Sequence, residues 1–365
     1  MVQLTLVLPF ALPAPEFAPD LVRSLQAPAL AALVSRTAAH HRQPYDQRAR
    51  ALPHEVWLAR ALGLEQHGQP GFAVAAMRGF GLDPQDGTWF IINPSHIEIA
   101  RSHLMMPDLR QLDLHDADSR ALFDAARPYI EEAGHTLEYG DAQTWFMRAD
   151  DWAGMDTSTP DAAVGMNLTD CMPTGPRALA YRKLQNEIQM LWYTHPANAA
   201  RESRRQAPVN AFWLWGAASA TTTTTANTVF PAQGEQGPRP YSPHAELPKP
   251  VNGTTVASFE TPGWLSALAT ERLTALDQVG ATQADTLLIA GNVAAPAIAA
   301  DWSGWLYEMQ RLESELFAPL LAALTAGRIK QLKLVMSHRD AHAEFTTTAM
   351  AQRKFWRRPT LERLI

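Results

Sequence analysis

Three consecutive stretches near the end of the chain constrain the fold most: a short apolar run at Asp285–Ala290, a long helical pattern at Asp301–Leu324, and a second apolar run at Lys330–Met336. Strand, helix, strand in that order predicts a βαβ unit, because a parallel neighbour can be reached only by a long crossover. A parallel sheet needs helices on its faces, so the pattern predicts an α/β protein with a partly parallel sheet flanked by helices. Pro319 is placed to kink the long helix. The opening run Val2–Leu8, closed by Pro9, supplies a further buried strand.

The remainder divides into blocks. Residues 1–87 add helical patterns at Asp20–Ala39 and His54–Leu64, followed by a passage punctuated by Gly and Pro. Residues 88–180 read as a smaller α+β unit: a strand at Thr88–Ile92, a second through Ile97 and Ile99, and a helix that Asp116 or Asp118 can cap and Gly134 can end. A hairpin at Thr136–Tyr139 and Thr144–Met147 follows, then loop to Arg177. Residues 181–365 open with a helix at Tyr181–Tyr193 stopped by Pro196, a short helix capped by Asn198, and a strand at Val209–Trp215 that is apolar on both faces except Asn210. That strand is expected to be central and to end at Gly216. The polar stretch 217–250, with its threonine run, predicts a mobile loop, and Trp264–Leu276 a helix.

Composition narrows the function. With 365 residues, 46% of them hydrophobic, the chain can bury a substantial core in about two domains. A net charge of −6 gives no global field for nucleic acid or anionic membrane in the absence of a local patch, so neither is an expected partner. The single cysteine, Cys171, excludes an internal disulfide and a multi-cysteine zinc cage, and its Pro-rich loop offers no basic partner that would make it a nucleophile. The start carries no basic segment of the signal-peptide kind, and no apolar run reaches about 18 residues. A cytoplasmic protein is the expectation.

Two motif-bearing stretches, Thr88–Met106 (TWFIINPSHIEIARSHLMM) and Leu184–Ala218 (LQNEIQMLWYTHPANAARESRRQAPVNAFWLWGAA), together with the closing Phe355-Trp356-Arg357-Arg358-Pro359, resemble the RpfE-type family of proteobacterial proteins, described as similar to cofactor-independent phosphoglycerate mutases. Asn210, Trp213, Leu214, Trp215 and Gly216 resemble a segment of the archaeal-type mutases of the alkaline phosphatase superfamily. That resemblance implies two divalent metal ions, such as manganese or zinc, held by carboxylates and imidazoles at strand ends, and a metal-activated Ser or Thr. It implies an Asp after the first strand, an Asp and His after Ala290, and an Asp-His pair after Met336. The chain has instead Pro9-Phe10-Ala11-Leu12, Gly291-Asn292-Val293-Ala294-Ala295-Pro296 and Ser337-His338-Arg339-Asp340-Ala341-His342. The ligand set is short, so the expectation is no resident metal and a catalytically degenerate, alkaline-phosphatase-like remnant with a regulatory role. An active phosphomutase or phosphatase drawing on Asp150, Asp151, Asp156 and His244 is one alternative, and a structural interaction protein the other.

Candidate ligand contacts follow from residue chemistry. Asn186 and Gln189 share a helix face with Glu187 nearby, and either meet a ligand or satisfy backbone groups. Arg201, Arg204 and Arg205, close to His195 and Asn210, form either a site for a phosphorylated or carboxylated ligand or an ordinary basic face. Trp213 and Trp215 face one way, as core or as a surface for a protein partner, and Gly216 either admits a ligand or makes a turn. His338, Asp340 and His342 alternate and would share a face if the strand continued, which makes them weak metal candidates against a polar loop.

Overall fold

The computed structural model describes residues 2–100, 103–220, 254–277 and 279–365; of the predicted loop at 217–250, residues 217–220 are instead the end of a strand, and the remainder, with His244, lies outside the described residues. The strands of the two main sheets are, in chain order, β1 (Val2–Leu8), β2 (Ala39–Pro44), β3 (Gly87–Ser95), β4 (Thr136–Asp141), β5 (Thr144–Arg148), β6 (Ala211–Ala220), β7 (Thr255–Phe259), β8 (Glu271–Leu273), β9 (Thr286–Ala290), β10 (Ile329–Ser337) and β11 (Ala341–Thr348). The helices used below are α1 (Pro28–Ser35), α2 (Pro53–Ala61), α3 (Asp116–Glu132), α4 (Ala178–Tyr193), α5 (Pro196–Ser203), α6 (Trp302–Leu312) and α7 (Ala318–Thr325). No helix among the described residues is long and apolar enough to cross a membrane.

The chain forms two compact units, one from Met1–Leu58 with Pro250–Ile365 and one from Ala59–Lys249. The block boundaries drawn at residues 88 and 181 both fall inside the second of these units. The first unit holds a seven-stranded sheet in the order β8-β7-β9-β1-β10-β11-β2. β1 pairs in parallel with β9 and β10, and β7 in parallel with β8 and β9. β11 and β2 close one side antiparallel. The βαβ reading holds: the crossover from β9 to β10 carries α6 and α7 and leaves room for β1 between them. Where a kink at Pro319 is expected, the helix carries a π-helical turn, Glu313–Phe317, just before that residue. Glu313 of that turn caps a remote helix, its carboxylate accepting from the backbone N–H groups of Ala29 (2.6 Å) and Leu30 (3.0 Å) at the start of α1. A single helix over Asp20–Ala39 therefore does not form; the chain breaks ahead of Pro28 and ends in β2.

The second unit is built on an antiparallel sheet, β6-β3-β5-β4. β6 is an edge strand, not a central one, and its burial comes from two helices packed on it, α4 and Ala73–Gly79. Gly216 does not end it: the residue sits at a bulge between Trp215 and Ala218 with φ of 69°, a left-handed geometry that favours glycine. Trp213 and Trp215 are both core, their indole N–H groups donating to Ser158 O (2.7 Å) and Asn93 Oδ1 (2.6 Å). Two N-caps differ from expectation. His115 precedes α3, with Asp116 and Asp118 in its first turn, and His195 precedes α5 and accepts from Ala197 N. Asn198 is instead buried, tying Trp192 O to both backbone groups of Val209.

Candidate functional site

The carboxyl ends of β7, β9, β1 and β10 lie side by side on one edge of the first unit's sheet, where open α/β sheets present their ligand crevices. Two of these strands end in a non-glycine residue with left-handed backbone: Phe10 after β1 (φ 59°) and Glu260 after β7 (φ 49°). Such geometry costs about 1–3 kcal/mol and collects at functional sites. Gly291 follows β9 because a Cβ there would stand 2.5 Å from Glu260 O.

The Phe10 ring lies against His54 (5.6 Å between centroids) and edge-on to His338 (6.3 Å), and its carbonyl accepts from Trp305 Nε1 at 3.0 Å. His54, near the start of α2, places Nδ1 at 3.0 Å from Ser337 Oγ, and both residues are buried. His338 Nδ1 donates to Asp340 Oδ1 at 2.9 Å, since a carboxylate can only accept. On the β9 and β7 side, Asn292 Nδ2 donates to Glu308 Oε2 (2.7 Å), and Arg311 joins Glu308 (3.1 Å) to Glu260 (2.9 Å). Burial alone pushes the Arg311 guanidinium down; Glu260, Glu308 and Glu315 more than offset this and leave it above its ordinary value. Asn292 is buried, and its Oδ1 has no partner among the described residues.

The strand ends carry Phe10, Asn292 and Ser337, none of them a carboxylate or an imidazole, and Glu260 and Glu308 are tied to Arg311. Among the described residues, no group of three or more His, Cys, Asp or Glu is placed to hold a metal. His338, Asp340 and His342 do not share a strand face, because the chain reverses between them: His338 N donates to Ala341 O (2.9 Å), and His342 returns on β11 opposite Ser337. His342 is buried with both ring nitrogens unpartnered among the described residues, and burial holds its pKa below the ordinary value. Asp150 is bound to Arg148 and Thr88 N, Asp151 to Arg177, and Asp156 accepts from Gln69.

The predicted anion cluster of the second unit is committed internally. Arg201 is fully buried and donates to three carbonyls, Ala207 (3.0 Å), Asp113 (3.2 Å) and Leu112, with Asp118 at 3.6 Å. Burial lowers its pKa and Asp118 works against that. Arg204 pairs with Asp118 and reaches Gln206 (3.0 Å), while Arg205 is exposed. Asn210 clamps Ile97, accepting from its N–H (2.7 Å) and donating to its carbonyl (2.8 Å). Arg201 and Asn210 share no partner. Asn186, Glu187 and Gln189 lie on the exposed face of α4; the buried polar residue of that helix is Gln185, which donates to Phe212 O (3.3 Å). His195 serves as the cap already described. Sequence reading passed over His54, Glu308 and Arg311, which have no local signature: His54 and Ser337 stand 283 positions apart.

No protein-family model and no curated protein matches the chain. Among solved structures, the cofactor-independent phosphoglycerate mutase from Thermoplasma acidophilum DSM 1728 is similar at a TM-score of 0.40 and 12% identity, over 95% of this chain and 89% of that one. The PH0037 protein from Pyrococcus horikoshii is similar at a TM-score of 0.49 and 12% identity, over 95% and 87% respectively.

Proposed function

We propose that the protein is a noncatalytic, mutase-like binding protein that takes a small phosphorylated or carboxylated ligand at the carboxyl edge of the first unit's sheet, in a regulatory role. The observation that carries this reading is the composition of that edge. A bulky aromatic in left-handed geometry and a buried amide oxygen with no partner among the described residues stand at the strand ends, with two imidazoles against the aromatic. A hydroxylated phosphate ester or a hydroxylated carboxylate suits such a set. Its hydroxyl groups donate to Asn292 Oδ1 and to His338 Nε2, which is left as an acceptor when Nδ1 donates to Asp340.

The test is thermal melting of the purified chain with a panel of phosphorylated and carboxylated metabolites, since a ligand that binds only the folded state raises the melting temperature. A stabilising ligand whose effect disappears in Asn292→Ala or His338→Ala supports the reading. Two stoichiometric manganese or zinc ions in the purified chain, with 3-phosphoglycerate turnover lost on chelation, would sink it in favour of an active metal-dependent phosphomutase.

A further inference from the structure

The closing segment of the first unit combines two features that folded proteins seldom leave open together. Phe355 is 82% exposed and Trp356 69%, and they pack edge-to-face on one another, 5.2 Å between centroids, with neither belonging to the buried core. Met350, one turn earlier, is 78% exposed. Around these apolar groups the sequence from 349 to 365 carries Arg353, Lys354, Arg357, Arg358 and Arg363 against a single carboxylate side chain, Glu362.

Neighbouring elements add to the same field. Arg36 Nε donates to Arg357 O (3.3 Å), Arg42 donates to Arg363 O (3.3 Å), and Lys354 and Arg363 both reach Thr37. Among the described residues, none of these seven cations forms an ion pair with a carboxylate, although Asp340 acts on Arg42 from a distance. His40, on β2 beside Arg42 and Arg363, is held below its ordinary pKa by burial and then by those two cations. An open groove lined by Val22, Leu25, Ala31, Leu361 and Ile365 continues the apolar surface past Pro359.

From this juxtaposition we infer that the Met350–Arg363 face docks on an anionic lipid surface, Phe355 and Trp356 entering the headgroup boundary and the arginines meeting lipid phosphates. Aromatic side chains and cations of this kind are the two halves of peripheral membrane attachment. A chain of net charge −6 gains no attraction to such a surface from its overall charge, so the patch also orients the unit it belongs to. Single-stranded nucleic acid would use the same charges, but it needs aromatic faces on which successive bases can stack. The two rings here stand at 83° to each other, and Met350 offers no stacking face.

The experiment is co-sedimentation of the full chain with vesicles of phosphatidylglycerol mixed into phosphatidylcholine, against pure phosphatidylcholine, at low and high salt. Binding to the anionic vesicles alone, released by salt, is expected. It should fall at least about tenfold both in Phe355→Ser/Trp356→Ser and in Arg357→Gln/Arg358→Gln, with melting temperatures unchanged because all four side chains are exposed. Three results would overturn the inference: no binding to anionic vesicles at low salt, full binding by the aromatic double variant, or tighter binding of polyuridylate than of vesicles, lost in the same variants.

Discussion

The two units use their candidate site residues in different ways, although each leaves some buried polar atoms without a partner among the described residues. In the second, antiparallel unit the predicted site residues are closed on the protein itself: Arg201 donates to three carbonyls, Asn210 donates to the carbonyl of Ile97 and accepts from its N–H, and Asn198 donates to Trp192 O and Val209 O. In the first unit the strand ends keep capacity in hand, with Asn292 Oδ1 unpartnered among the described residues and two residues, Phe10 and Glu260, in strained backbone. Polar residues that look like a site in sequence are, in the second unit, the mortar between helices, loops and sheet. The first unit's parallel strands end together, so groups from distant parts of the chain arrive at one edge with chemistry to spare.

Truncating the second unit's core should have the largest effect. Trp213→Ala should cost about 3–5 kcal/mol, read as a shift in the denaturation midpoint, because a fully buried indole and its bond to Ser158 O are both lost. Unchanged stability would make Trp213 a docking residue and remove the contrast. Arg201→Ala should follow at about 3 kcal/mol, since Asp118 and three carbonyls lose a buried partner. Normal stability together with loss of a phosphorylated ligand would return the anion site to the second unit.

In the first unit, Glu313→Ala should cost about 1.5–3 kcal/mol by removing two charge-assisted bonds at the start of α1. Hydrogen exchange should localise the loss to α1 and its neighbours, and uniform loss across both units would show that they do not respond separately. The smallest effect concerns acid. Burial holds His40 and His342 of the first unit, and His135 of the second, below the ordinary 6.5. Below that pH the unfolded chain takes up more protons than the folded one, so stability declines as pH falls from about 6.5 towards the depressed values. Amide protection, taken relative to the intrinsic exchange rate at each pH, should fall on acidification in both units, and His342→Phe should flatten the dependence in the first alone.

Much of the architecture was legible where a long pattern left few alternatives. The β9–α6–α7–β10 crossover, the opening strand, the β4–β5 hairpin and α4 all stand within a few residues of their expected bounds. What escaped were elements made by their partners. β2 reads Ala-His-His-Arg-Gln-Pro, exposed and without alternation, and is a strand because β11 pairs with it. The helix expected over Trp264–Leu276 gives way after Ser266 to β8, which pairs with β7, while Thr270 Oγ1 bonds both backbone groups of Val256. Local apolar spacing carries no information about an open sheet edge nearby, and that edge outweighs helix propensity.

By itself the sequence determined the class of fold, since strand, long crossover and strand admit only a parallel sheet, and it located the chemistry-bearing residue types. It could not decide which of them face a ligand. Arg201 and Asn210 are neighbours along the chain, yet backbone carbonyls of remote loops occupy them. His54 and Ser337, far apart along the chain, meet at 3.0 Å. A polar side chain bonds whatever unpaired group lies nearest in space, and which group that is depends on strand order and register, which exist only once the chain has folded.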